Sequence, residues 1–485
     1  MSYTLKTYST EEKLQILADA AKYDVACTSS GVDRRGKKGA LGNSCAAGVC
    51  HSFAADGRCI SLLKILYSND CCYDCKYCLS RCSNDVARAT FDPDELCQLT
   101  IEFYKRNYIE GLFLSSAVVK NPAFTMERMC ETLLLLRMKY HFNGYVHIKT
   151  IPGAPDDLIE LAGYLADRIS INMELPTEEG LKKLAPSKSQ KTIFNAMGKL
   201  TDTISAHRLA IGKDARMERS GINRHLTNSI FNKDNLLSED ILHRIGNNSL
   251  PAVVGDTRFK RSFAPAGQST QMIIGATDET DLALLQTTQK LYQVYDLKRV
   301  FFSAYIPLNN DPALPAPGTP VPLLREHRLY QADWLLRYYG FRTDELLSTE
   351  NPFFNEVVDP KCDWALRHLE SFPVDLQTAS YDIILRVPGI GPKSAKRIVA
   401  ARKYESLTYE GLKRMGVVLK RAHYFILING RQMYKTPIEQ NYILNRLAGD
   451  NETENWEIAH QNEEYRQMSI WEYLSGSVGN RKICT

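Results

Sequence analysis

The chain has 485 residues, room for two or three domains around a large core. Its 60 Lys and Arg against 56 Asp and Glu leave a net charge of +4, which excludes a chain that is basic throughout, so any anion-binding surface has to be local. No stretch approaches the ~20 apolar residues of a membrane span, and the start Met1-Ser2-Tyr3-Thr4-Leu5-Lys6 has no apolar signal core, so the 13 cysteines are expected to be reduced or metal-bound thiols of a cytoplasmic protein.

Residues 1–59 form a Gly-rich, poorly periodic extension containing Cys27, Cys45, Cys50 and Cys59. Their spacings of 18, 5 and 9 match no standard ligand pattern. They are candidates for a second metal site, iron-sulfur or zinc, against a reading as structural thiols, and Cys59 is a candidate relay in radical chemistry. The apolar run Ser61–Tyr67 then reads as a strand, and the loop leaving it carries Cys71, Cys75 and Cys78. Three thiolates can hold three irons of a [4Fe-4S] cluster and leave the fourth iron open to a small molecule. Zinc normally wants a fourth ligand and paired Cys-x2-Cys units, and Cys71, Cys75 and Cys78 contain one such pair with an outlier four residues upstream. Cys72 falls outside the pattern.

The spacing Cys-x3-Cys-x2-Cys, with aromatic Tyr77 just before the last cysteine, resembles the signature of the radical S-adenosylmethionine (SAM) superfamily. The resemblance implies that SAM chelates the open iron through its amino and carboxylate groups, with Tyr77 beside the adenine. Downstream, strand-like runs at 111–116, 145–149, 168–175, 270–275 and 299–305 alternate with helix-like runs, which calls for a parallel sheet with right-handed crossovers. Counting from Ser61 there are six strand-helix units, the partial (βα)6 TIM-like barrel that the resemblance implies, over residues 60–340. Parallel barrels keep their chemistry at the C-terminal ends of the strands. Ser115, Ser116, Lys149, Asn172, Glu174, Gln271 and Tyr305 fall there and are the candidate pocket residues, with Tyr305 a candidate for the final hydrogen delivery. Family members often carry a Gly-Gly-Glu-like run after the second strand to hold the SAM amino group. Leu114-Ser115-Ser116-Ala117 stands there instead, so hydroxyls and carbonyls would take that part. Residues 188–266 lose periodicity and read as a polar insertion, either a lid or a surface loop.

After a proline-rich excursion at 307–322 and an apolar-striped helix at 326–338, residues 341–375 read as a linker region. The next informative run is Ile383–Ile398, where Val387-Pro388-Gly389-Ile390-Gly391 separates two helix-like pieces. Its glycines allow a tight turn, and the free N–H groups opening the second helix suit a phosphate. The run resembles the helix-hairpin-helix family. That resemblance places Gly389 and Gly391 in the hairpin, Ala395 at the close helix contact, and Lys393, Lys396 and Arg397 beside a DNA phosphate. A weaker echo follows at 412–422, and Arg386–Arg421 holds ten Lys or Arg against two Glu. A small all-α DNA-binding domain is therefore expected at 376–430, followed by a polar tail at 431–485.

The order of parts, with Gly48–Phe53, Arg81–Val86 and Phe263–Thr270 around the cysteine loop and barrel, resembles a group of radical SAM proteins assigned to DNA modification or repair. This implies an enzyme that reductively cleaves SAM on its cluster and uses the 5′-deoxyadenosyl radical on a nucleotide in DNA. The implied partners are DNA, an electron donor such as flavodoxin or ferredoxin, and a uracil-DNA-glycosylase-like protein. Radical modification of RNA and a non-catalytic, redox-sensing iron-sulfur DNA-binding protein are the alternatives.

Overall fold

Seven strands lie in one sheet in the order in which the chain makes them. They are β1 (Val49–Phe53), β2 (Cys59–Leu66), β3 (Gly111–Ser115), β4 (Tyr145–Lys149), β5 (Arg168–Ser170), β6 (Gln268–Ile274) and β7 (Arg299–Ala304). Strands β2 to β7 are parallel and β1 pairs antiparallel with β2, so the sheet is an open half-barrel with β1 and β7 as its edges. The computed structural model describes residues 8–21, 49–53, 59–210 and 262–464, with backbone alone at 49–53, 59–60, 210, 450–454, 456–457 and 460–464.

Alternation along each strand divides the sheet into two unlike faces. Leu63, Ile65, Leu112, Leu114, Val146, Ile148, Ile169, Met272, Ile274, Val300 and Phe302 join the helices in the main apolar core. The intervening positions are more polar, and Lys64, Phe113, His147 and Arg168 stand side by side across four strands. The His147 imidazole bonds to the Ser170 hydroxyl, which lies 2.8 Å from that of Ser269, and the His147 ring meets Phe113 edge-on.

The covering helices in chain order are α1 (Thr10–Ala21), α2 (Pro93–Lys105), α3 (Pro122–Leu134), α4 (Asp156–Leu165), α5 (Glu178–Leu184), α6 (Gln190–Ala210), α7 (Asp281–Tyr295) and α8 (Leu323–Tyr338). Their starts follow local chemistry. Asp92 and Glu95 form a capping box before α2, Asn121 caps α3 and Thr280 caps α7, each accepting from a first-turn N–H. A π-helical turn, Leu135–Lys139, ends α3 and points Arg137 into the layer below. The Arg137 guanidinium donates to the carbonyls of Leu165, Phe142 and Gly144 and to the Asp167 carboxylate, fastening α3 to α4 and to the strands after each.

Three expectations change here. The poorly periodic N-terminal segment supplies β1, because the antiparallel register Val49↔Leu63 to Phe53↔Cys59 pairs an otherwise open edge of β2. The start of the 188–266 insertion is α6, whose Ile193, Met197, Leu200 and Ile204 are buried, so it belongs to the helical layer; residues 211–261 lie outside the described residues. Residues 341–375 hold α9 (Thr343–Leu346) and α10 (Pro360–Arg367), with Phe341, Leu346, Cys362 and Ala365 buried.

The C-terminal part contains two pairs of short helices, each joined by a glycine turn. They are α11 (Tyr381–Arg386) with α12 (Pro392–Ala401), and α13 (Tyr409–Arg414) with α14 (Leu419–Ala422). The part is not purely helical, since β8 (Val374–Asp375) and β9 (Ile426–Leu427) pair in parallel at its base. In the polar tail, α15 (Gln440–Glu464) buries Ile443 and Leu447, and Asn455 donates to the carbonyls of Glu356 and Val357.

Two outcomes test this account. Arg137→Met leaves three carbonyls and a carboxylate without their donor, and chemical denaturation is expected to show a loss of about 3–5 kcal/mol. Burial, then the charges of Arg168 and Lys149, hold His147 well below the usual histidine range, so it is neutral when folded. The unfolded chain binds the extra proton below about pH 6.5, so stability drops as pH falls through that point, by up to about 1.4 kcal/mol per pH unit. Urea titrations at about pH 7 and about pH 5 should show a shallower acid loss in His147→Gln.

Candidate functional site

The loop after β2 places its cysteines at the C-terminal edge of the parallel strands, where such sheets carry their sites. Cys75 is buried, Cys71 and Cys78 are half-buried, Cys72 is exposed, and all four are free thiols. Among the described residues no three His, Cys, Asp or Glu side chains converge on a single metal ion. A cubane distributes its three protein ligands over three irons and does not need that convergence. Burial pushes the Cys75 thiol up and the Cys78 thiol to about 12, so thiolates there call for positive groups such as iron to replace lost solvation.

The loop is fixed by partners from distant parts of the chain. Arg88 donates to four of its carbonyls, those of Asn69 and Ser80 through one nitrogen and of Arg81 and Asn84 through the other, all at 2.7–2.8 Å. Asn69 adds a second tie, donating to the Ala87 carbonyl and accepting from the Ala89 N–H. The segment after β3 lies alongside, with Tyr67 N–H on the Ser115 carbonyl, Ala117 N–H on Ser68 and Cys72 N–H on Val118. Lys76 N–H donates to the Leu184 carbonyl at the end of α5, and Asn309, after β7, donates to the carbonyls of Lys76 and Cys78.

Beside the loop is a charge pair of buried Glu174 and half-buried Lys188. Glu174, four residues past β5, has a left-handed conformation (φ 63°), while its N–H and carbonyl bond to Gln271 and Ile273 of β6 as an isolated bridge. Its carboxylate lies 2.9 Å from the Lys188 amine and accepts from the Asn172 amide at 3.2 Å. Lys188 also donates to the Tyr77 hydroxyl at 3.3 Å, so Tyr77, Lys188, Glu174 and Asn172 form one connected group. Burial works against the Lys188 charge, but Glu174, Tyr77 and Cys75 hold its amine well above the ordinary range. Two buried polar atoms on this edge have no hydrogen-bond partner, Ser115 Oγ and Asn172 Oδ1, while the Tyr305 hydroxyl faces the Asn309 backbone. Buried atoms of this kind mark where a ligand completes a structure.

The other candidates fall as follows. Ser116 donates to the Ala117 carbonyl, Gln271 is buried on β6, and the Lys149 amine lies 6.0 Å from the centre of the Phe113 ring. Cys59 is the first residue of β2, at the opposite end of that strand from the cysteine loop and on the order of 20 Å of extended chain away, which removes it from the pocket. Cys50 pairs with Leu62 near that same end, while Cys27 and Cys45 lie outside the described residues.

In the C-terminal part Gly389 has φ 80°, and a Cβ there would lie 2.6 Å from the Val418 carbonyl, so the two glycine turns interlock. Gly391 caps α12 without a side chain, Ala395 is fully buried, and Lys393, Lys396 and Arg397 are exposed. Not all of the local basic charge faces outward. Arg386 pairs with Glu345, Arg421 pairs with Asp359, Arg402 donates to the carbonyls of Leu376 and Ala379, and Arg397 reaches the Met415 carbonyl of the second turn.

No family model matches the chain, and no curated protein matches it. Among solved structures it is similar to the crystal structure of HydG, a maturase of the [FeFe]-hydrogenase, at 11% identity over 83% of this chain and 81% of that one, with a TM-score of 0.34. A likeness of that degree carries no argument, and the half-barrel rests on its own strand order.

Sequence reasoning passed over Arg88, Lys188 and Asn309. Arg88 and Lys188 sit next to segments that were singled out, but neither has a spacing that announces its partners. Arg88→Ala is expected to bind several-fold less iron after anaerobic reconstitution while keeping its far-ultraviolet circular dichroism, because four carbonyls of the loop lose their common donor.

Proposed function

We propose that this chain is a radical SAM enzyme that holds a [4Fe-4S] cluster on Cys71, Cys75 and Cys78 and modifies or repairs a nucleotide in DNA. The observation that carries this reading is the three-thiol loop pinned at the C-terminal edge of six parallel strands, beside a half-buried cation and unpaired polar atoms. The donor set suits the group, since three thiols leave one iron for SAM. Asn172 Oδ1 can only accept, so it suits the ammonium or a ribose hydroxyl of SAM, and Ser115 offers either role. Lys188 suits the carboxylate, with Glu174 orienting it and Tyr77 beside the adenine. Ser116 and Lys149 complete the set at the ends of β3 and β4.

When bound, cluster and SAM supply reductive cleavage and hydrogen abstraction, which are chemistry of the cofactor. The chain's part is to hold the loop rigid, orient SAM and keep water from the buried thiols. Its electron would come from a flavodoxin- or ferredoxin-type donor. The turn Pro388–Gly391 and the start of α12 suit a DNA phosphate as a helix-hairpin-helix does, with Lys393, Lys396 and Arg397 around it. Such docking reads the backbone and carries no sequence information. An internal base must then leave the stack to reach the half-barrel. A uracil-DNA-glycosylase-like partner would fit a base-directed role.

Anaerobic reconstitution, reduction and addition of SAM should release 5′-deoxyadenosine, with release lost in Cys75→Ala and changed by damaged or undamaged DNA. A fully loaded protein that forms none under any condition overturns the enzyme reading. Lys393→Ala with Lys396→Ala should weaken duplex binding and reduce the salt slope by about 1 for each phosphate that is no longer neutralised, leaving DNA-independent 5′-deoxyadenosine formation unchanged.

A further inference from the structure

The first glycine turn is held from beneath by a lysine that belongs to another part of the chain. Lys361, in the first turn of α10, is 7% exposed, and its amine donates to the Ile390 carbonyl at 2.6 Å while standing 4.6 Å from the centre of the Tyr339 ring. The neighbouring Gly389 carbonyl accepts from the Val418 N–H at 2.9 Å. Both carbonyls in the middle of the turn are thus bound from within the protein. The first-turn N–H groups of α12, which a helix leaves unpaired, have no capping side chain, because Gly391 occupies the cap.

The ammonium itself is incompletely satisfied. It carries three donors, and the Ile390 carbonyl takes one of them. Around it stand Asp359, Cys362, Arg386, Arg421 and Tyr339, with Asp359 also bonded to Arg421 and to two N–H groups of α10. Burial of the amine pushes Lys361 down to about 7, so its charge is one that an anion nearby would favour. A buried cation with spare donors under a turn that offers amides is an arrangement an anion completes.

We propose that Lys361 is a positioning residue for a nucleic-acid backbone phosphate. It anchors the carbonyl edge of the Pro388–Gly391 turn, leaves the amide edge to the phosphate and adds a shielded positive charge behind it. This rests on the DNA-docking reading above. It also makes the turn's geometry depend on α10, so docking is set by the body of the protein as well as by the helices that flank the turn.

The test uses the full-length protein and a defined duplex, with affinity measured across a salt series for wild type and Lys361→Met. The expected result is about tenfold weaker binding at every salt, an unchanged salt slope and an unchanged melting temperature. A slope smaller by about 0.9 makes Lys361 a direct phosphate ligand and overturns the positioning role. Equal affinity, or a loss that follows a lowered melting temperature, overturns it as well. If Lys361→Met does not fold, Lys361→Gln decides, since its shorter amide cannot hold the Ile390 carbonyl as the lysine does: weaker duplex binding at an unchanged salt slope supports the inference and wild-type affinity overturns it. Wild-type protein that binds no duplex removes the docking reading itself, whereas binding that ignores Lys361 removes only this inference.

Discussion

A backbone that leaves a sheet and must stay in place without regular structure needs a donor for each carbonyl and an acceptor for each N–H it buries. The cysteine loop meets that need with Arg88 on four carbonyls and with partners after β3, α5 and β7. Every other property of the edge depends on this. Cys75 is buried, and Cys71 and Cys78 are half-buried, because the loop is pressed down, Tyr77 reaches Lys188 for the same reason, and Asn309 ties the last strand of the half-barrel to the first of its parallel set. An open sheet has no opposing wall to hold its two ends in register, and here the loop takes over that duty.

Charge is used in two ways. On the half-barrel edge, buried Glu174 meets half-buried Lys188 and Tyr77, which keeps a cation near the thiols without leaving it alone in a poorly solvated place. In the C-terminal part, Arg386, Arg402 and Arg421 hold backbone or carboxylates, so the exposed basic face is smaller than the composition suggests, and Lys393 and Lys396 are central to it.

Much of the fold was legible because strands and helices have different periods. The expected strand at 145–149 has the observed bounds, those at 111–116, 270–275 and 299–305 lie within a residue or two, and that at 168–175 is cut to Arg168–Ser170. The cysteine loop could be read from spacing alone. The miss at β1 has a physical cause, since a short edge strand beside glycines has little apolar alternation and is defined by its partner β2. α6 was hidden by its polar exposed side, and α9 and α10 by brevity. In the site, the cysteines and Glu174 were visible as types at strand ends, whereas Arg88, Lys188, Asn309 and Lys361 act on backbone or on neighbours up to 233 residues away, which no local pattern encodes.

The two-residue ladder of β8 and β9 has a further consequence. It pairs Val374 with Ile426 and Asp375 with Leu427, so the chain enters and leaves the four short helices at almost one point. Everything between is one excursion, fastened to α9 by Arg386 and Glu345 and to α10 by Arg421 with Asp359 and by Lys361 on the Ile390 carbonyl. Such an excursion can be lengthened or exchanged without re-threading the strands of the half-barrel wherever its contacts with α9 and α10 are kept, so the two parts are free to diverge at different rates.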